Sequence, residues 1–235
     1  MKVSIFTSCY NQCQFLPECI ESVLSQTHRD IEYIIIDDGS NDETATIIRE
    51  YSCRDDRILP IYLSKYPNIA SVLNLSISVM HSDIWIWVPS DDIIMPDLVV
   101  KKITLLTDNN IVLAWGKTIN ECGSEQGQIT FDWLSSDEFR HRIWKECFIG
   151  MTGVMIPRSV LYKVGGFPEH LDFSEDFYWI LKSTKMGVDY SYVPEFLYKK
   201  RHHSNRLTDK NHSSIIKGIP VIKEEINSWY KNQMY

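Results

Sequence analysis

No apolar run in this 235-residue chain is long enough to cross a bilayer. Stretches such as "IWIWVP", residues 84–89, fall far short of the roughly 20 residues that a membrane helix needs. The N-terminal "MKVSIF" lacks the apolar core and small-residue cleavage site of a secretory signal. A cytoplasmic protein is expected, with peripheral contact at the inner face of the cell membrane left open. The six cysteines (Cys9, Cys13, Cys19, Cys53, Cys122, Cys147) form no CxxC pair and have no companion His spacing, which argues for free thiols rather than structural zinc. Basic residues are in deficit: 24 Lys and Arg against 31 Asp and Glu give a net charge of −7, which disfavours a nucleic-acid binder. No G-x-G-x-x-G follows the first apolar run, so an NAD enzyme is disfavoured. The N-terminal region also lacks the Gly- and basic-rich phosphate loop of a nucleotidyltransferase. Internal repeats and low-complexity tracts are absent as well.

What is present is an alternation of two apolar rhythms. "KVSIFTS" reads as a strand ending in the turn-like "CYNQ". Phe15, Leu16, Cys19, Ile20, Val23 and Leu24 then recur at helical spacing, with Pro17 tolerated in the first turn. "IEYIII" predicts a buried strand, "ETATIIREY" a helix capped by Asn41 or Asp42, and "RILPIYL" a strand that Pro60 pushes to a sheet edge. Ile69, Val72, Leu73, Ser76, Ile77 and Met80 predict a third helix, and "IWIWV" a fourth strand. Such alternation predicts βαβ units and a mostly parallel sheet, that is, a single α/β domain.

Further on, "PDLVVKKITLLT" predicts a helix with Pro96 at its first position, and "IVLAWGK" and "GVMIP" predict strands. "RSVLYKV" reads as a short helix ending at Gly165-Gly166, "SEDFYWILKSTKMG" as a helix closed by Gly187, and "VDYSYVP" as the last strand. Between Ile119 and Glu146 the periodicity fades, and an irregular excursion is expected. Ile215, Ile219, Ile222, Ile226 and Trp229 predict an amphipathic tail helix interrupted by Pro220. It packs on the domain or docks on a membrane surface or a second copy. The expected division is one domain over 1–210, with a nucleotide-binding half (1–108) and an acceptor and catalytic half (109–210). The helical tail over 211–235 follows it.

Two acidic pairs close predicted strands: Asp37-Asp38 in "YIIIDDGSNDET" and Asp91-Asp92 in "WVPSDDIIMPD". In an open parallel sheet both fall at the carboxyl edge, where ligands bind. Each has a plain alternative, as turn residues or as caps of the next helix. A strand-end carboxylate also suits Mg²⁺ or Mn²⁺, which takes one or two protein carboxylates and fills its shell with water and phosphate oxygens. Glu175 and Asp176 in "FSEDFYW" are either helix-start acids or a proton acceptor with a neighbour that raises its pKa. "KKRHHSNR", residues 199–206, is either a solvated charge run or a diphosphate contact. Trp133, Trp144, Tyr178 and Trp179 are core residues or sugar-stacking ones.

Over residues 3 to 206 the chain resembles glycosyltransferase family 2, an inverting group with a GT-A fold. "VSIFTSCYNQCQFLPECIESVLSQTHRDIEYIIIDDGSNDET" is similar to the family's opening "VSIIIPTYN", "SLLxQT" and "VVDDGSxDxT", in that order. "GVMIPRSVLYKVGGFPEHLDFSEDFYWILKSTKMG" resembles its later block, and "YVPEFLYKKRHHSN" its "Y-[IV]-P-E-x-L-Y-x-Y-R-x-H" segment. The resemblance implies a metal-dependent transferase that moves a sugar from a nucleotide-diphosphate donor, expected to be a UDP-sugar, to an acceptor hydroxyl. The acceptor would be a glycan, a lipid-linked or a small molecule, in surface polysaccharide or glycan assembly.

The same resemblance implies roles for particular residues. Cys9, Tyr10 and Asn11 match the Thr-Tyr-Asn beside the nucleotide base, and Asp37 and Asp38 match the pair on base and ribose. Asn74 is what remains of an Ala-Arg-Asn. Asp91 and Asp92 match the end of the metal motif, with Asp92 the expected ligand of Mn²⁺ or Mg²⁺. Asp176 matches the catalytic base, with Glu175 beside it. Arg201 and His203 match the Arg-x-His that approaches the diphosphate or the metal. Four departures stand out: Pro89 replaces the first metal-motif Asp, Leu73 replaces the Arg, Ser8 replaces a Pro, and Asn68, Ser76 and Ser82 fill small Gly positions. Pro89 and Leu73 keep a rival reading open, a degenerate domain that binds a nucleotide sugar or a partner without turnover.

Overall fold

The computed structural model describes residues 1–133 and 135–233. β1 (Val3–Cys9) and β2 (Ile31–Asp37) are buried nearly end to end, which is why they read as continuous apolar runs rather than alternating ones. Helices cover both of their faces. Ile34 and Ile36 point into one core, with α3 (Ile69–Val79), α6 (Arg158–Val164) and α7 (Glu175–Lys185). Tyr33 and Ile35 point into the other, with α1 (Leu16–Leu24), α2 (Thr44–Ser52) and α4 (Leu98–Ile103). Pro17 sits in the first turn of α1, where its missing N–H costs nothing. The N-cap of α2 is Glu43, without a side-chain cap bond, rather than Asn41 or Asp42, although the Asp42 carboxylate accepts from Thr44 N–H just ahead of the helix.

The remaining elements are β3 (Ile58–Tyr62), β4 (Ile84–Trp87), β5 (Ile93–Ile94), β6 (Asn110–Ile119), β7 (Glu125–Ile129), α5 (Ser136–Ile143), β8 (Val154–Pro157), β9 (Asp189–Arg201), α8 (Leu207–Lys210) and α9 (His212–Gln233). The sheet order is β3-β2-β1-β4-β8-β6-β9-β5, with β7 paired to β6. β3, β2, β1 and β4 run parallel, and Pro60 lies on the edge strand β3 as expected. Beyond β4 the sheet is mixed: β8 is antiparallel to β4 and β6, β9 is parallel to β6, and β5 is antiparallel to β9. The chain reverses its strand order at β1, so a crevice opens between the carboxyl ends of β1 and β4.

Two regions differ from expectation. Residues 119–146 are not irregular throughout. β7 extends β6 as an exposed ribbon, and α5 is capped by Ser135, whose hydroxyl accepts from Glu138 N–H. An exposed ribbon of sequence "EQGQI" has no buried face, so no apolar alternation announces it. β9 also continues well past "VDYSYVP". Val193 pairs with Ala114 and Phe196 with Trp115, which leaves Pro194 and Glu195 bulged out of the ladder. The bulge accommodates a proline that would otherwise end the strand. Beyond it, Tyr198 packs where only glycine fits: a Cβ on Gly116 or Gly150 would lie 2.2 or 2.3 Å from its ring and hydroxyl.

α9 buries Ile222 and Ile226 against the domain, and Glu225 accepts from the Tyr178 hydroxyl of α7 at 3.0 Å. Among the described residues, no helix is long and apolar enough to cross a membrane.

Beneath the sheet, α4 carries a fully buried lysine. Lys102 donates to the carbonyls of Val112 (3.2 Å) and Gly153 (2.6 Å), and burial lowers its pKa to about 7. An unfolded lysine holds its proton to about pH 10.4, so between about 7 and 10.4 the unfolded chain binds more protons and stability rises with pH. Relative to Lys102→Met, the wild type should therefore gain on the order of 2–4 kcal/mol between pH 7 and 10. Denaturant melts of both proteins at several pH values check this, and parallel pH profiles would refute it.

Candidate active site

The loops after β1 and β2 are laced together. Asn11 Oδ1 accepts from Asn41 N–H and Ser40 Oγ from Asn11 N–H, both at 2.9 Å, while Cys9 O accepts from Asp38 N–H. Asp37 is buried and accepts from Ser40 N–H at 3.1 Å. Asp38, half-buried, accepts from Tyr66 N–H at 2.5 Å. Burial raises the Asp38 pKa above the ordinary carboxylate range. Gly39 (φ +76°) lets the next loop approach, since a Cβ there would stand 2.9 Å from Lys65 N. The three non-glycine residues with left-handed backbones, among those described, are Asn11 and Lys65 at these loops and Ser174 at the start of α7. Such strain gathers where a site is held in a fixed shape.

Two expected donor contacts are corrected here. The Cys9 thiol turns into the core toward Ile36 O at 3.4 Å, so its neighbour Tyr10 is the residue that faces outward, its ring 4.3 Å from the Lys65 ammonium. Asn74 is spent on structure. Its amide donates to Phe167 O and Glu169 Oε1, and its Oδ1 accepts from Phe167 N–H. It clasps the "GGF" turn from a part-exposed position on α3.

After β4 the two aspartates take opposite roles. Asp92 is fully buried. Its Oδ1 accepts from Arg201 N–H (2.8 Å) and its Oδ2 from the Thr152 hydroxyl (2.5 Å). Burial, then the charge of Asp91, raises its pKa to about 7. Asp92, the expected cation ligand, has both oxygens hydrogen-bonded to the protein and no exposed surface in this structure. Asp91 keeps an accessible edge and meets His203 Nε2 at 3.1 Å, with Arg206 Nε at 3.7 Å. Neither aspartate caps α4, which shows no side-chain cap bond at its start.

Arg201 is corrected in the same way. Its guanidinium donates to Asp91 O, Asn120 O, Glu121 O and the Glu18 carboxylate, lies 5.0 Å from the Phe15 ring centre and is only 2% exposed. Every arm is engaged, so Arg201 is a strut tying β9 to α1 and the loop after β6. His203, its ring tilted against Phe15 at 4.7 Å, stays beside Asp91.

On the opposite wall, left-handed Ser174 starts α7, followed by buried Glu175 and half-buried Asp176. Phe177 N–H donates to Asp176 Oδ1 at 2.7 Å. Burial raises both carboxyls, Glu175 to about 8 with the charge of Asp176 adding to it. Lys200 and Arg206 each lie within electrostatic reach of both Asp176 and Asp92. Sequence reading put Lys200 and Arg206 in a basic cluster without singling them out, and missed Glu18, Phe15 and Thr152 altogether. Nothing local marks those three, whose roles come from contacts across the fold.

The aromatic candidates prove structural. Trp133 and Trp179 are buried, and Trp179 donates to Gly165 O. Trp144 donates to Thr184 Oγ1, and Tyr178 donates to Glu225. Among the described residues, no three His, Cys, Asp or Glu side chains gather as a metal cage. The Asp91 carboxylate with an adjacent imidazole still suits a cation that takes most of its oxygens from phosphate and water.

Comparisons with known proteins match the fold. A solved structure of S. aureus TarS (residues 1–349) in complex with UDP superposes with a TM-score of 0.72 at 18% identity, over 94% of this chain and 65% of that one. The mannosyltransferase PcManGT from Pyrobaculum calidifontis, in complex with GDP-Man and Mn²⁺, superposes with a TM-score of 0.68 at 14% identity, over 97% of this chain and 71% of that one. An "Uncharacterized glycosyltransferase" of Haemophilus influenzae is 27% identical over 99% of this chain and 75% of its own length. Another from Rickettsia prowazekii is 29% identical over 88% of this chain, which spans 66% of that relative. The profile described as Glycosyl transferase family 2 matches residues 4–165. With the reversed strand order, the acids at its crevice and a GT-A-like mixed α/β domain behind them, the chain belongs to glycosyl transferase family 2.

Proposed function

We propose that this domain transfers a sugar, with inversion, from a nucleotide-diphosphate donor to an acceptor hydroxyl, with Asp176 as general base. The observation that carries the reading is the half-buried Asp176, on the same cations as the Asp91-Asp92 wall. Asp176 takes the acceptor O–H proton while the acceptor oxygen bonds to the anomeric carbon. The bond from that carbon to phosphate breaks, and its electron pair stays with the leaving diphosphate. Asp91, with His203 beside it, would hold Mn²⁺ or Mg²⁺, which supplies charge neutralisation for the diphosphate. Tyr10, Asp37 and Asp38 form the nucleoside end. A UDP-sugar is the proposed donor, supported by the TarS complexes with UDP and UDP-GlcNAc, while the GDP-Man complex of PcManGT makes GDP-sugars the next to test. The proposed setting is glycan or surface polysaccharide assembly on the cytoplasmic side, with a glycan, lipid-linked or small-molecule acceptor.

A second reading, binding without turnover, draws on Pro89, Leu73 and the fully engaged Arg201. A panel of nucleotide sugars, with and without Mn²⁺, separates the possibilities by thermal shift and product formation. The true donor should raise the melting temperature with the logarithm of its concentration over Kd, more so with Mn²⁺, and turn over with an acceptor. Stabilisation without product in an acceptor screen would favour the second reading, and a flat panel would reject both.

A further inference from the structure

Arg201 occupies the position of a phosphate-facing cation in the sequence, yet its guanidinium is consumed within the protein. Its neighbour is placed differently. β5 pairs antiparallel with β9, Ile94 opposite Tyr198 and Ile93 opposite Lys199. One further step of that register sets Asp92 opposite Lys200. Cross-strand partners project to the same face, and successive residues to opposite faces. Lys200 therefore stands on the Asp92 side of β9, away from the Arg201 struts. It is half-buried, and among the described residues its ammonium has no hydrogen-bond acceptor or ion-pair partner within bonding distance. Asp92 and Asp176 attract it from two sides, and Arg206 repels it.

A partly desolvated ammonium with three unused donors is costly. So is a second cation held close to it. An anion received between Lys200 and Arg206 relieves both costs, and the acids that flank them are those assigned to the base and to the diphosphate cation.

We propose that Lys200 binds the β-phosphate of the donor, supplying from the opposite face of β9 the phosphate contact that Arg201 does not make. The proposal rests on the donor reading above and adds to it a residue that differs from the family pattern, where a Tyr precedes the Arg. As the sugar leaves, Lys200 donates to the phosphate oxygen that gains the electron pair, and its charge favours that step.

The test compares UDP with UMP, and GDP with GMP, by titration calorimetry in Mn²⁺ for the wild type, Lys200→Ala, Lys200→Arg and Lys199→Ala. Losing a charge-assisted contact should weaken diphosphate binding roughly 10- to 100-fold in Lys200→Ala while changing monophosphate binding less than about twofold. Lys200→Arg should recover most of the loss, and Lys199→Ala, on the other face, should match the wild type. If Lys200→Ala does not fold, Lys200→Arg and Lys200→Gln carry the same comparison, with Gln losing the diphosphate preference and Arg keeping it. An unchanged ratio of diphosphate to monophosphate affinity, or equal loss for both, would overturn the role of Lys200. Wild-type protein that binds none of these nucleotides would instead overturn the donor reading itself.

Discussion

Asp176→Asn is expected to keep nucleotide binding and to lose sugar transfer by about 10²-fold or more, the range for removing a general base. The amide preserves the size of the side chain and the acceptor that Phe177 N–H holds at 2.7 Å, so the loss isolates proton acceptance. The pH dependence follows from the neighbour. Burial, then the charge of Asp176, raises Glu175 to about 8. Burial also raises Asp176, but Phe177 N–H, Lys200 and Arg206 favour its ionised form. The two carboxyls titrate as a pair, and its protons are held to higher pH than those of an exposed carboxylate. A base acts only when ionised. Turnover should thus rise with pH through the ionisation of this pair, at higher pH than for an exposed aspartate. Glu175→Gln should retain that limb and lose any step near pH 8. Full turnover in Asp176→Asn would remove the base from the mechanism.

The second large effect separates two adjacent aspartates. Asp91→Ala should abolish the tightening of nucleoside-diphosphate binding by Mn²⁺ and leave the melting temperature close to the wild-type value. Asp92→Ala should lower stability by about 2–4 kcal/mol, because Arg201 N–H and the Thr152 hydroxyl both lose a buried acceptor. Asp92→Asn can keep both contacts, with its oxygen accepting from Arg201 N–H and its amide donating to Thr152 Oγ1. The folded carboxyl of Asp92 sits near 7, above its unfolded value, so stability is lost as pH rises from about 4 through 7. The Asn variant should gain on the wild type across that window. Metal titrations with UDP and denaturant melts read the two properties independently. A Mn²⁺ response lost in Asp92→Asn and kept in Asp91→Ala would return the cation to Asp92.

Much of the framework was legible because its cause is local. Full burial of β1 and β2 produced unbroken apolar runs, Pro60 marked an edge strand, and Gly165 and Gly187 ended helices in left-handed turns. The acids were legible because strand ends of a parallel sheet share one edge. β7 was not, since an exposed ribbon needs no apolar face, and neither was the length of β9, since a proline was read as its end.

Which of two neighbouring residues faces the ligand was beyond the sequence. Tyr10 is exposed and Cys9 buried, Asp91 keeps an accessible edge and Asp92 does not, and Arg201 is fully engaged beside a half-buried Lys200, all decisions of a single residue. From Val193 to Tyr198, β9 advances five residues while β6 advances two, an excess of three. An odd excess swaps the faces of every later side chain. The sequence by itself determined the order of elements, the acids at the strand ends and the basic cluster that follows β9. Only the tertiary structure decided which members of those clusters are struts and which reach the crevice, because side-chain direction along a strand depends on a register fixed by the partner strand.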